Sequence, residues 1–144
     1  MDNKMKLLQE IVGISMDANN KKMKRYMQNG VIVRVAVVSL SFLVTLLSGW
    51  DVKFGEFNAA LLFSALLTGV TSLESFFLFN RKFRIYYDNI TRLSVIDTKI
   101  GMAIATESYT EPLYEEWLGE YIDIQKIFHE NRIDVMKAAE SIGM

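Results

Sequence analysis

Two long apolar runs occupy the middle of the chain, and amphipathic stripes flank them on both sides. Val31 to Gly49 reads VIVRVAVVSLSFLVTLLSG, 19 residues with one charge. Phe57 to Phe79 reads FNAALLFSALLTGVTSLESFFLF, 23 residues with one charge. As helices they reach roughly 28 and 34 Å at 1.5 Å per residue, enough for a bilayer core of about 30 Å, the second with some tilt. Between them, Trp50 to Glu56 holds Gly55 and three charges. That is a tight polar turn, and it predicts an antiparallel two-helix hairpin. A cleaved signal peptide fits poorly, because the first run starts 30 residues in and the second follows at once. A buried soluble helical hairpin is the other reading of the pattern.

The flanks repeat every three or four residues. Met5, Leu8, Ile11, Val12 and Met16 give a short N-terminal stripe, and Asn19-Asn20 is expected to end or loosen that helix. After the second run, Phe83, Tyr86, Tyr87, Ile90, Leu93, Ile96, Ile100 and Ile104 form a long stripe, with the helix of the second run continuing through it. Glu107 to Thr110 breaks the pattern, and Pro112 suits a helix first turn with Thr110 or Glu111 as its cap. The last stripe is Leu113, Trp117, Tyr121, Ile124, Phe128, Val135 and Ile142. It can bury the previous one as an antiparallel hairpin. The expected fold is all-α: residues 1–30 an N-terminal helix, 31–79 a transmembrane hairpin with spans 31–49 and 57–79, and 80–144 a C-terminal helical region.

Charge sharpens this picture. Residues 31–79 carry only Arg34, Asp51, Lys53, Glu56 and Glu74, whereas residues 107–144 carry nine acidic groups and three basic ones. Residues 1–106 sum to +5 and residues 107–144 to −6. Lys21, Lys22, Lys24 and Arg25 precede the first run, Arg81, Lys82 and Arg84 follow the second, and the turn has Lys53 alone. The positive-inside rule puts both termini in the cytoplasm and the turn outside, with Trp50 at the outer interface and Tyr26, Tyr86 and Tyr87 near the inner one. The basic flanks suit anionic lipid heads.

Few residues suggest chemistry. The chain has no Cys and one His, His129, so thiolate chemistry and a multi-histidine metal site within one chain are excluded. No phosphate loop, nucleophile elbow or metal-ligand spacing is present, which points away from an enzyme. The acidic C-terminal segment is either a solvated helix face or a docking surface for a basic partner.

The intramembrane polar residues are more informative. A charge within a span costs about 2.5–3.5 kcal/mol on insertion scales. Counted outward from Lys53, Arg34 and Glu74 lie at nearly the same depth, which allows them to pair within or between chains; Arg34 can instead snorkel to the headgroups. Arg34, Ser41, Thr45 and Ser48 share one helix face, and Ser64, Thr68, Thr71 and Ser75 share another, with Glu74 beside them. These series serve helix packing or line a pore in an oligomer. One hairpin encloses no water, so a pore needs several copies.

The order of parts resembles the SLATT proteins, two-transmembrane effectors associated with bacterial nucleotide-signalled defence systems. The resemblance covers about residues 5–140. It rests on the short N-terminal helix, two spans with a minimal turn, and the aromatic-basic juncture LESFFLFNRKFRIYYDNITRLSVIDTKI at residues 73–100. It implies an oligomeric, membrane-permeabilising effector of antiphage defence at the bacterial inner membrane, controlled by a nucleotide signal or a separate sensor protein. It implies no resident cofactor beyond a candidate cyclic nucleotide ligand, and no nucleic-acid partner. Lys22, Lys24, Arg25, Arg81, Lys82 and Arg84 are the candidate contacts to lipid or nucleotide phosphates, with Tyr86 or Tyr87 available to stack on a base. The alternative is a non-conducting membrane anchor or scaffold whose cytoplasmic helices recruit a partner.

Overall fold

A computed structural model describes residues 2–48, 53–54, 57–108 and 110–142, with side chains at all of these except 2, 53, 54, 57, 73–77 and 142. The described residues are all-helical apart from one short ladder and the turns. Helix α1 runs Asp2–Ser48, strands β1 (Lys53–Phe54) and β2 (Phe57–Asn58) pair antiparallel, and α2 (Ala59–Phe77), α3 (Phe79–Ala105) and α4 (Glu111–Ile142) follow.

The architecture is one long helical hairpin with a third helix folded onto its far end. Lys53 pairs with Asn58, Gly30 meets Phe79, Tyr26 stacks near Tyr86, and Gly101 meets Gln9. Numbers fall along α1 as they rise along α2 and α3, so the two arms stay antiparallel over the full length of α1. Its 47 residues make an arm about 70 Å long. Helix α4 runs parallel to α1: Lys4 bonds Glu111 at 2.8 Å and Ser15 bonds Tyr121 at 3.0 Å. Against α3 it is antiparallel, with Lys99 bonding Glu120 at 2.9 Å and Tyr86 packing edge-on to Phe128.

The core lies between α1, α3 and α4. Met5, Leu8 and Val12 of α1 meet Leu93, Ile96, Ile100 and Ala103 of α3 and Trp117 of α4, with Met16, Leu113, Tyr121 and Ile124 packed around them. All three sequence stripes therefore converge, the N-terminal one included. Ile11 and Tyr87, both placed on stripes by their spacing, are exposed. Ile142 lies outside the described side chains.

Several boundaries differ from the sequence expectation. Asn19-Asn20 neither ends nor loosens the first helix; α1 passes through it, because Asn19 is buried inside the bundle and the surrounding packing holds the backbone helical. The second helix starts at Ala59, since Phe57 and Asn58 extend the turn as a strand and the Asn58 side chain accepts the Ala60 N–H at 2.9 Å. It also does not run unbroken into α3. Leu78 adopts a left-handed conformation (φ 49°) that ends α2, and its carbonyl accepts the first bond of α3, from the Lys82 N–H. No Gly or Pro marks this break in the sequence.

The break at 107–110 falls where expected. Glu107 is left-handed (φ 52°), its N–H donates to the Ile104 carbonyl, and the Ser108 N–H donates to the Ala103 carbonyl. This is a Schellman cap with glutamate in the position glycine usually fills. Thr110 then accepts the Tyr114 N–H, and Glu111 opens α4 with a carboxylate at the positive end of the helix. Its ion pair raises the Lys4 pKa, through the hydrogen bond first and charge second.

One layer of the core is polar. The register puts Asn19, Asn89 and Gln125 at one level of the bundle. Asn89 is 3% exposed, and both its amide atoms, together with Gln125 Nε2, lack a hydrogen-bond partner among the described residues. An unsatisfied buried polar group costs about 1–3 kcal/mol. A cleft of about 40 Å³ beside Asn89 gives room for a larger side chain. Asn89→Leu is therefore expected to stabilise the bundle by about 1–3 kcal/mol. Thermal unfolding in mild detergent checks this; a loss of stability would mean that the amide is satisfied by water in the cleft.

Candidate functional site

The end of the hairpin beyond α4 has the opposite character from the bundle. Helix α1 contains an 18-residue window of mean hydropathy 2.3, long and apolar enough to cross a membrane, and 0% of that window is buried. Beside it, Ala59–Ser72 is a shorter apolar helical stretch. Helix α1 packs against α2, and Val33, Val37, Leu40, Val44 and Leu47 on α1 and Phe63, Leu67 and Val70 on α2 are partly buried. Val31, Ile32, Val35, Val38, Phe42, Leu61, Leu62 and Leu66 point outward.

The structure places most of the polar series on this surface. Ser41, Thr45, Ser48, Thr68 and Thr71 are exposed, as is Arg34, while Ser64 is partly buried. The described members of each series are rotated by about 90–100° from their helix's line of partly buried apolar residues, and in the same sense. In an antiparallel pair, equal rotation in the same sense leads to the same side. The two series thus lie along one side of the hairpin and not between its helices. The hydroxyls donate to carbonyls of their own helix: Ser41 to Val37, Thr45 to Ser41, Ser48 to Val44, Thr68 to Ser64, and Thr71 to Leu67 and Thr68, all at 2.7–3.0 Å. Donors satisfied in this way need no water.

Arg34 lines a small groove with Tyr26, Met27, Gly30, Asn80 and Phe83. These residues lie on the bundle side of its own Cα, the direction in which helical side chains lean. The side chains of Glu74 and Ser75, and with them the proposed Arg34–Glu74 pair, lie outside the described residues, as do Trp50 and Gly49.

Near the junction of the two regions, Lys22, Lys24, Arg25, Arg81 and Arg84 are exposed and Lys82 is half-buried. Lys82 Nζ sits 5.9 Å from the Tyr26 ring centroid, and the Tyr26 and Tyr86 rings are 5.5 Å apart. Tyr86 is buried, and that burial raises its pKa, with the Arg132 charge opposing and Tyr26 adding to the rise. Tyr87 is exposed and stacks on Phe83 instead. Among the acidic residues of α4, Glu111 and Glu120 are engaged in ion pairs with Lys4 and Lys99. His129 is exposed.

Sequence reasoning missed Arg132. It lies 50 residues after Lys82 and far from either apolar run, and only the folding of α4 against α1 and α3 brings it beside Tyr26 and Tyr86. No known protein family, curated protein or solved structure matches the chain.

Proposed function

We propose that the chain is an integral membrane protein of the SLATT type, with the α1–α2 end spanning the bacterial inner membrane as a two-helix hairpin and both termini in the cytoplasm. In this reading it assembles as a homo-oligomer and permeabilises the membrane in antiphage defence, under the control of a nucleotide signal or a partner sensor protein. One observation carries the membrane part: an apolar window of α1 with no fully buried residue, beside a second, largely exposed apolar helix, next to a bundle that buries its own core. Monomeric soluble domains rarely leave so large a continuous apolar surface in water.

The permeabilising part draws on the polar residues. A single-sided row of hydroxyls gives an oligomer a surface on which to pack hairpins or line a channel. Lone pairs on those oxygens stay available to water or ions even though the donors are used internally.

The test is reconstitution of the purified full chain in liposomes loaded with a self-quenched dye and a potassium-sensitive probe. The expected result is ion leakage that scales with protein density, a particle of more than one copy in nanodiscs, and leakage reduced at least several-fold by Thr45→Val combined with Thr68→Val. An oligomer that leaks nothing supports the anchor or scaffold alternative. A monomer under every membrane mimetic removes the channel reading.

A further inference from the structure

We propose that Lys82, Arg132, Tyr26 and Tyr86 form a binding site for a single phosphate group at the membrane-facing end of the bundle. The four residues line a cleft of about 150 Å³, closed on its apolar side by Val135 and Met136. Three helices build it: Tyr26 comes from α1, Lys82 and Tyr86 from α3, and Arg132 from α4. The cleft therefore exists only when the bundle is assembled.

The chemistry of the lining is one-sided. It contains two cations and no carboxylate, and neither Lys82 nor Arg132 has an acidic partner among the described residues. Both instead rest on aromatic faces, Lys82 over Tyr26 at 5.9 Å and Arg132 over Phe128 at 5.7 Å. Phe128 packs edge-on to Tyr86 at 5.2 Å, so the aromatic rings hold both cations around one opening. The Tyr86 hydroxyl has no hydrogen-bond partner among the described residues and adds a neutral donor. A guanidinium, an ammonium and a phenol hydroxyl are complementary to phosphate oxygens.

Size and depth narrow the ligand. The cleft has about half the volume of the smallest usual small-molecule pockets, ~300 Å³. It holds one phosphate and leaves anything larger outside. Tyr26 lies five residues before Val31, and Lys82 three after Phe79. In the membrane reading, on which this depth argument rests, both sit about 5–8 Å beyond the hydrocarbon edge. That is the depth of a headgroup layer about 5–8 Å thick on each side. The phosphate of an anionic lipid meets the cleft without leaving the bilayer, whereas a free nucleotide reaches it from solution with its base outside.

The experiment is native mass spectrometry of the full chain, extracted from liposomes of neutral lipid doped with phosphatidic acid, alongside AMP titration of the same protein in wholly neutral nanodiscs. The expected result is one phosphatidic acid retained per chain after delipidation. Retention is expected to fall at least tenfold in Lys82→Gln with Arg132→Gln, and to persist in Lys126→Gln with Lys137→Gln, exposed cations of α4 outside the cleft lining. Met136→Glu places a carboxylate on the exposed rim, removes no cation, and should also expel the lipid. Binding of AMP that depends on Lys82 and Arg132, without lipid retention, keeps the phosphate site and assigns it a soluble ligand. Neither probe bound, or equal retention in the cleft variants and the Lys126/Lys137 control, overturns the site. Failure of membrane insertion would remove the lipid arm alone, and a protein that inserts without leaking ions leaves both arms intact.

Discussion

Leu93→Ala is expected to destabilise the bundle by about 2–5 kcal/mol, the range for emptying a fully buried leucine site. Leu93 is 0% exposed at the centre of a core shared by α1, α3 and α4. The cavity opens where three helices meet, so no single helix can move to fill it without losing contacts with the other two. For a folded unit of this size the loss corresponds to a fall in Tm of about 10 °C or more. Thermal unfolding in mild detergent, followed by the fluorescence of Trp117 in a Trp50→Phe background, measures it. Leu7→Ala is the control: Leu7 is 55% exposed on the outer face of α1, and its truncation should stay within about 0.5 kcal/mol. Equal effects of the two changes would mean that the three helices do not form one cooperative core.

Val38→Asp is expected to reduce membrane integration about a hundredfold. Val38 is 69% exposed near the middle of the apolar part of α1. A carboxylate at the centre of a span costs about 2.5–3.5 kcal/mol on insertion scales, and each 1.4 kcal/mol is a factor of ten. Leu66→Asp on α2 should behave alike. Alkaline extraction of membranes from expressing cells reads the integrated fraction directly. The contrast with a water-soluble fold is sharp, because a polar residue at such an exposed site would there be neutral or would improve solubility. A Val38→Asp protein that stays in the alkali-resistant membrane fraction at the level of the parent contradicts the spanning reading of α1.

Residues that act through periodicity were legible in the chain. Met5, Leu8 and Val12, then Leu93, Ile96 and Ile100, then Trp117 and Phe128 repeat at helical spacing, and all are buried. Burial on a helix needs one apolar stripe, and a stripe is a local property of sequence. The two apolar runs were legible from local composition, and the stop at Glu107 from the lapse of the periodic pattern before Pro112.

Other features depended on groups distant in sequence. Asn19-Asn20 reads as a helix stop by propensity, but Asn19 is enclosed by neighbouring helices and α1 continues. Leu78 breaks the second arm without Gly or Pro, so intrinsic preference gave no sign of it. Arg34 lies over a groove formed with Asn80 and Phe83, which belong to the opposite arm. Arg132 was one cation among many in an acidic segment until α4 set it beside Tyr26 and Tyr86. The sequence by itself determined that the long segments are helical, where most of their apolar stripes run and where charge is excluded, because these follow from the order of neighbouring residues. The tertiary structure decided which polar groups share a side of the hairpin and which cations share a cleft, because register between helices is set by packing across the core.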